Sequence, residues 1–103
     1  MTAIEQARND LAQRLVVLGD RARHQSRNIL AEEIEAIRRV AAANGMFPAA
    51  SVAHALEMAL GRGERGPLIE GWIAMLRDAV LSDRQDREAG NIFAAACSIR
   101  LVG

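Results

Sequence analysis

The sequence predicts an all-α fold, an antiparallel four- to five-helix bundle built from one domain that spans residues 1–103. Three observations lead to this prediction. Half of the residues are apolar, many of them alanine, the strongest helix former, whereas tyrosine is absent and threonine occurs once. The apolar residues recur in steps of three and four, which is the period of a helix with one buried face. Glycine and proline interrupt this period at intervals that suit helices of ordinary length.

The first predicted helix begins after Thr2. Thr2 and Glu5 have the T-x-x-E spacing of a capping box, in which each side chain accepts a hydrogen bond from the other residue's backbone amide. Gly19 predicts a helix end and a short hinge at Gly19-Asp20, although a helix that continues through this glycine would cost only about 1 kcal/mol. The apolar stripe of this helix consists of Ile4, Ala7, Leu11, Leu15 and Leu18.

The second predicted helix begins at Asp20 or Ser26 and ends at Ala43. The pair Asn44-Gly45 follows and is a strong helix-ending signal. Whether the first two helices are continuous depends on which of the two starts is used. The residues that we expect to face inward are Leu30, Ile34, Ile37 and Ala41.

Prolines open the third and fourth predicted helices. Pro48 and Pro67 stand at the first-turn position that proline prefers, and the glycine-rich loop 61–66 separates the two helices. The expected inward residues of the third helix are Val52, Ala53, Leu56, Ala59 and Leu60, and those of the fourth are Leu68, Ile69, Trp72, Ile73, Leu76, Ala79 and Val80. We expect the core to be centred on Leu15, Ile34, Leu56, Trp72 and Leu76.

A fifth helix is predicted to run to about Leu101. Ser82 and Gln85 have the S-x-x-Q spacing of a second capping box, and Gly90 is expected to weaken the middle of the helix, so that its first turns fray. Cys97 lies in an apolar run and is predicted to be a small buried hydrophobe. Because it is the only cysteine, an intramolecular disulfide is excluded.

Charge and composition exclude several classes of function. All 13 basic residues are arginine and are balanced by 13 acidic residues. Without lysine, Schiff-base chemistry and a lysine general base are excluded. The chain has neither the basic excess nor the aromatic platforms of a nucleic-acid binder, so no nucleic-acid partner is predicted. Because a signal peptide and a run of 18 apolar residues are both lacking, the sequence predicts a cytoplasmic protein that does not enter a membrane.

The loop 61–66 matches the pattern G-x-G-x-x-G letter by letter. In dinucleotide-binding proteins this pattern follows a strand and opens a helix, whereas here a helix precedes it, so no cofactor is predicted. Arg62 and Arg65, together with the free amides at the start of the fourth helix, form a candidate anion contact. The alternative is a plain turn between two helices.

The two histidines, His24 and His54, lie outside every zinc-site spacing, and no metal site is predicted. His54 and Glu57 reverse the E-x-x-H order of di-iron bundles and are expected to be a surface or boundary pair. His24 lies in the basic segment 21–27, which is either a solvated face or a contact for an acidic partner or phosphate group. No nucleophile stands beside a base, so the sequence predicts that the protein is not an enzyme.

Half of the chain has a specific order of elements. A helix, Glu35–Gly45, is followed by a second helix at 52–60 that carries the pair Leu56-Glu57, and a loop and last helix cover 61–80. This order resembles the second half of a histidine-phosphotransfer domain, a helical bundle of about this size. The family's signature is H-x-L-K-G on a long helix that a glycine ends, then a helix with an L-E pair, a short loop and a final helix.

When the family's pattern is placed on Gly45, its leucine falls on Ile37, its lysine on Arg38 and its glycine on Arg39. Its phosphorylated histidine falls on Glu35, and a glutamate cannot form a stable phosphoramidate. The resemblance therefore implies a pseudo-phosphotransfer module without the transfer activity. Glu35 would keep a permanent negative charge beside Arg38 and Arg39, on the surface where such domains dock receiver domains.

The predicted function is a non-catalytic protein-interaction module in bacterial two-component signalling, with a response-regulator receiver domain as the expected partner. The predicted partner-binding residues are Glu35, Arg38, Arg39 and His24.

Two other functions remain open. One is a self-associating structural or subunit protein, a homodimer whose seam is the stripe Ile4, Leu11, Leu15 and Leu18. The other is an active phosphocarrier that uses His24 or His54.

Overall fold

The computed structural model describes residues 2–102 and contains five helices: α1 (Ala3–Arg21), α2 (Arg27–Ala43), α3 (Phe47–Gly61), α4 (Pro67–Leu81) and α5 (Arg87–Val102). No strand occurs within this range, so the all-α prediction is confirmed. Met1 and Gly103, which the predicted domain includes, lie outside the described residues. No helix in the described part of the chain is long and apolar enough to cross a membrane.

Four of the helices form a closed ring of contacts. In this ring α1 and α3 each pack against both α2 and α4, and α5 lies outside it, against α3. The third helix is therefore the central one, since three other helices cover it. The residues predicted for the centre of the core are all buried, which confirms this prediction: Leu15, Ile34, Leu56, Trp72 and Leu76.

Side-chain caps define the starts of the first two helices. The hydroxyl oxygen of Thr2 accepts a hydrogen bond from the backbone N–H of Glu5 at 3.3 Å, as the capping box predicts. The hydroxyl oxygen of Ser26 accepts one from the backbone N–H of Ile29, also at 3.3 Å. Of the two predicted starts for the second helix, the structure therefore has the one at Ser26.

The predicted hinge at Gly19-Asp20 is wrong, because α1 continues through both residues to Arg21. Gly19 does not adopt the positive φ of a helix-ending glycine. Leu18 is buried in the core at this point, and full burial of a leucine is worth more than the roughly 1 kcal/mol that glycine costs a helix. Packing thus outweighs local propensity here.

The predicted second capping box is also wrong. The amide nitrogen of Gln85 does not reach forward to a helix start; it donates to the carbonyl oxygens of Ala79 (3.0 Å), Val80 (3.3 Å) and Ser82 (2.7 Å). These belong to the last turn of α4 and its cap, where carbonyl groups lack partners within the helix. Asp86, rather than Ser82, directly precedes α5, and Arg84 donates to its carboxylate at 3.1 Å.

A close contact joins α5 to α3. A Cβ atom at Gly90 would lie 2.7 Å from the Cβ of Phe47, a separation that carbon atoms do not tolerate. The prediction that Gly90 only weakens α5 missed this contact, which needs a residue without a side chain. The guanidinium of Arg87 lies over the Phe47 ring, 5.2 Å from its centroid.

A second contact joins α5 to α4 at the only tryptophan of the chain. The indole N–H of Trp72 donates to a carboxylate oxygen of Glu64 at 3.1 Å. The guanidinium of Arg100 lies 5.0 Å from the centroid of the Trp72 ring. It also fills the space beside Gly71, where an added Cβ would overlap it.

The α1 stripe proposed as a dimer seam faces the core of the same chain. Leu11, Leu15 and Leu18 are almost inaccessible, and Ile4 packs against the core from its edge. A seam built from these residues is therefore excluded, because exposing them would dismantle the ring of helices.

Candidate functional site

The predicted partner-binding residues of α2 form one group of charges with a residue of α3. Arg38 and Arg39 lie one helical turn after Glu35, and Glu57 faces Arg38 from α3. One oxygen of Glu35 (Oε1) lies 3.1 Å from a guanidinium nitrogen of Arg39 and 3.8 Å from one of Arg38. The Nε of Arg38 donates to Glu57 at 2.7 Å. We call these four residues the α2–α3 charge cluster.

Exposure rises across this cluster from α3 to the outer side of α2. The exposed fraction of the side chain is 29% for Glu57, 34% for Arg38, 45% for Glu35 and 74% for Arg39. The inner pair, Arg38 and Glu57, ties two helices together. The outer pair, Glu35 and Arg39, is exposed enough to exchange partners, since an exposed ion pair is worth less than about 1 kcal/mol.

Glu35 has an unused acceptor. Both of its arginine contacts involve Oε1, and no residue in the range 2–102 donates a hydrogen bond to its second oxygen, Oε2. A carboxylate can accept at both oxygens, so Glu35 can bind an incoming donor without releasing Arg39.

The Glu35–Arg39 pair has the i, i+4 spacing of an ion pair along one helix, whereas the role of Glu57 was not predicted. His54 was the expected partner of Glu57; it is exposed, and Glu57 binds Arg38 instead. Arg38 and Glu57 are 19 positions apart on different helices. The signal that could have found this pair is the three-residue connection 44–46, which keeps α2 and α3 side by side.

His24 is not part of the charge cluster. It is exposed in the turn between α1 and α2, and eight positions of α2 separate Arg27 from Glu35, a rise of about 12 Å. Its neighbour Arg23 binds Glu70 of α4 at 2.9 Å, so the basic segment is partly neutralised within the chain.

Arg62 and Arg65 are not brought together on an anion site. The guanidinium of Arg62 donates to the carbonyl oxygen of Leu101, near the end of α5. Arg65 is exposed and lines a cavity of about 440 Å³ between the α1–α2 turn and the start of α4. Glu64 and Glu70 line the same cavity together with Arg23 and Arg27, and Glu70 is paired with Arg23.

A groove between α1 and α2 was not predicted. Its volume is about 660 Å³, and Val17, Leu18 and Ile37 contribute apolar surface to it. Glu33 and Arg14 stand among its polar lining residues. Hydrophobic periodicity indicates which face of each helix is buried, but it does not indicate how far apart two neighbouring helices stand.

The described residues hold no arrangement suited to metal or thiol chemistry. No three of the described His, Cys, Asp and Glu residues are placed to hold a metal ion. Cys97 is buried, as predicted, and its burial raises the pKa of the thiol, which the nearby Arg100 opposes more weakly. A thiol with a raised pKa is a poor nucleophile at neutral pH.

The chain matches no model of a known protein family, no curated protein and no solved structure.

Proposed function

We propose that the protein is a non-catalytic interaction module that docks a partner protein on the outer side of α2. The observation that carries the proposal is the α2–α3 charge cluster, in which Glu35 and Arg39 are exposed side by side and Glu35 keeps a free carboxylate oxygen. The partner that we propose is a receiver domain of two-component signalling, following the resemblance of residues 35–80 to a histidine-phosphotransfer domain.

The charge cluster supports docking because it presents both signs of charge at fixed positions. The inner pair, Arg38 and Glu57, links α2 to α3. The outer pair therefore lies on a helix that is fixed relative to its neighbour. Electrostatic complementarity of this kind sets the orientation and the rate of association more than it sets affinity. We therefore expect the docking to weaken as salt concentration rises.

Short connections support the antiparallel arrangement that the proposal assumes. Each connection contains between three residues (44–46) and five (22–26, 62–66 and 82–86). Connections of this length favour antiparallel neighbours. In that arrangement one broad side of α2 faces outward, between the α1–α2 groove and the charge cluster.

The proposal excludes phosphotransfer at Glu35. A carboxylate can accept hydrogen bonds from a receiver domain, yet it cannot hold the phosphoramidate that the family forms on histidine. In this proposal Glu35 takes the place of the phosphorylated group as a fixed negative charge and occupies the receiver without exchanging phosphate with it.

The test is a titration of the ¹⁵N-labelled protein with isolated receiver domains from the same genome, in phosphorylated and unphosphorylated forms. We expect at least one receiver to shift the amide signals of Glu35, Arg38 and Arg39. Glu35→Lys should weaken that binding about tenfold, since it places a like charge beside two arginines. A matched control is Asp78→Lys, the same charge change at an exposed position of α4, which should leave binding unchanged.

Two results would overturn the proposal. One is the absence of amide shifts with every receiver domain of the genome. The other is equal weakening by Glu35→Lys and Asp78→Lys, which would indicate a general charge effect instead of docking at α2.

The phosphocarrier alternative is separated from this proposal by a direct assay. His24 and His54 are both exposed and therefore open to phosphorylation. Incubation with a phosphorylated receiver and with acetyl phosphate should leave both histidines unmodified. Acid-labile phosphate that is lost in His24→Ala or His54→Ala would favour the carrier.

A further inference from the structure

The outer face of α5 carries apolar residues that the ring of helices does not use. The inner face packs through Ala89 and Cys97, both buried. On the opposite face Ile92 is 57% exposed and Ile99 is 75% exposed, the highest value among the large apolar residues of the described chain. Single exposed apolar residues are common on protein surfaces, whereas a contiguous apolar patch indicates an interaction site. The question is therefore whether Ile92 and Ile99 belong to one patch.

Ile92 and Ile99 belong to a continuous stripe. Ala95 and Ala96 lie between them and are also exposed, which gives apolar residues at positions i, i+3, i+4 and i+7. This spacing puts all four on one side of a helix, in the pattern of a helix–helix seam. We call these four residues the α5 outer stripe.

The outer stripe is free of charge. No charged residue occurs from Ala89 to Ile99, and Arg100, which follows, lies over the ring of Trp72. Helices that lie on membrane surfaces have basic residues along the border of their apolar face, and this border is absent. The stripe therefore fits an uncharged apolar surface of another protein.

The outer stripe is also symmetric about its own centre. Read in either direction it runs isoleucine, alanine, alanine, isoleucine, with equal spacing from the midpoint between Ala95 and Ala96. A twofold dimer requires a surface that is complementary to itself. In an antiparallel pair centred on this midpoint, Ile92 of each copy lies against Ile99 of the other, and the small alanines let the helices approach at the axis.

We propose that the α5 outer stripe is a homodimer interface, in which the α5 helices of two copies pair antiparallel about a twofold axis between Ala95 and Ala96. We expect the pairing to leave the α2–α3 charge cluster accessible, since none of its four residues lies on α5. The dimer would thus present two docking faces to partners.

The expected strength of the dimer follows from its size. A face one helix wide is smaller than the roughly 800 Å² that each partner buries in a stable interface. We therefore expect a reversible dimer with a dissociation constant of about 10–100 μM.

Sedimentation equilibrium over a range of protein concentrations tests the association. Wild type should change from monomer to dimer, and Ile92→Gln and Ile99→Gln should each raise the dissociation constant about tenfold or more. Both side chains are exposed in the monomer, so these variants keep the fold, which circular dichroism verifies. The matched control is Val16→Gln, at a similarly apolar exposed position of α1, a helix outside the proposed interface; it should dimerise like wild type.

Engineered cysteines test the register. In the proposed pairing residue 95 of each copy faces residue 96 of the other beside the axis, so a mixture of Ala95→Cys and Ala96→Cys proteins should form an intermolecular disulfide under mild oxidation. Ile92→Cys alone should not form a disulfide, because residue 92 faces residue 99 of the other copy. A mixture of Ile92→Cys and Ile99→Cys proteins should cross-link. The native Cys97 is buried and does not compete.

Three results of the sedimentation and cross-linking experiments would overturn the proposal. They are a wild-type protein that stays monomeric at about 1 mM, an association that Ile92→Gln and Ile99→Gln leave unchanged, and cross-linking of Ile92→Cys to itself in preference to Ile99→Cys. Flotation with phosphatidylcholine–phosphatidylglycerol vesicles, lost in Ile99→Gln, would also overturn it and assign the stripe to a lipid surface.

Discussion

Helices α3 and α5 are both rich in alanine, but their surroundings are opposite. Three helices cover α3, which buries eight of its residues: Pro48, Ala49, Val52, Ala53, Ala55, Leu56, Ala59 and Leu60. α5 packs on the outside of the ring, principally against α3. Ile92 and Ile99 of α5 remain 57% and 75% exposed, so α5 has apolar surface left to cover.

The comparison teaches that burial depends on position in the fold more than on composition. Leu56 of α3 and Ile99 of α5 are both large aliphatic residues, yet one is fully buried and the other is 75% exposed. The same chemical change should therefore have very different effects in the two helices.

Truncation of Leu56 should have the largest effect. Leu56→Ala leaves a cavity in the core and should lower the free energy of unfolding by about 2–5 kcal/mol. Ile99→Ala should change it by less than about 0.5 kcal/mol in the monomer. Urea denaturation at low protein concentration measures both. Similar losses for the two variants would contradict the assignment of the outer stripe to a solvent-exposed face.

The contact between the two helices can be tested at Gly90. Gly90→Ala gains about 1 kcal/mol of helix propensity, but it forces a methyl group against Phe47 and should destabilise the protein by about 1–3 kcal/mol in net terms. Gly61→Ala is the matched control, since no atom outside its own helix lies within 4 Å of the added Cβ. It should be neutral or stabilising. A stabilising Gly90→Ala would mean that α5 does not approach α3 closely.

The junction between α4 and α5 should show a smaller effect. Gln85→Ala removes the amide that donates to three carbonyl oxygens, and we expect a loss of about 1–2 kcal/mol. Gln13→Ala, at an exposed position of α1, should change stability by less than about 0.5 kcal/mol. Thermal unfolding followed by circular dichroism compares the two, and equal midpoints would contradict the capping role.

The start of α5 should show the smallest effect, visible as a dependence on pH. The hydrogen bond from Arg84 lowers the pKa of Asp86 below its ordinary value of 3.8. Because the unfolded carboxyl has the higher pKa, the stabilisation is complete above pH 3.8 and is lost as pH falls through the lower, folded value. Wild type should exceed Asp86→Asn in stability at neutral pH, and the difference should close in acid. Urea denaturation midpoints across this pH range measure the difference in stability between the two proteins. A difference that stays constant with pH would contradict the prediction.

Most of the fold could be predicted because apolar period and helix breakers are local signals. Pro48 and Pro67 lie at the starts of α3 and α4, as predicted, and Gly45 follows the end of α2. The errors at Gly19 and Gln85 have non-local causes. Burial in the core carries α1 through Gly19, and the path of the chain after α4 turns Gln85 back onto the helix that it has just left. Leu68 was also expected to face inward and is 55% exposed in the first turn of α4.

Less of the candidate site could be predicted. The Glu35–Arg39 pair follows from spacing along one helix, whereas the Arg38–Glu57 pair requires knowing which faces of α2 and α3 adjoin. The outer stripe was present in the sequence as part of a broadly apolar helix. Which of its sides is covered depends on the packing of α5 against α3, which no local pattern encodes.

The position of Trp72 has a practical consequence. Its ring is in contact with Arg100 of α5 and its indole N–H binds Glu64, so the chromophore stands where α4, α5 and the preceding loop meet. Release of α5 would remove the cation from the ring and admit water to it. With one tryptophan in the chain, intrinsic fluorescence is an optical sensor of α5 attachment, and stopped-flow emission can time its release and return without a label.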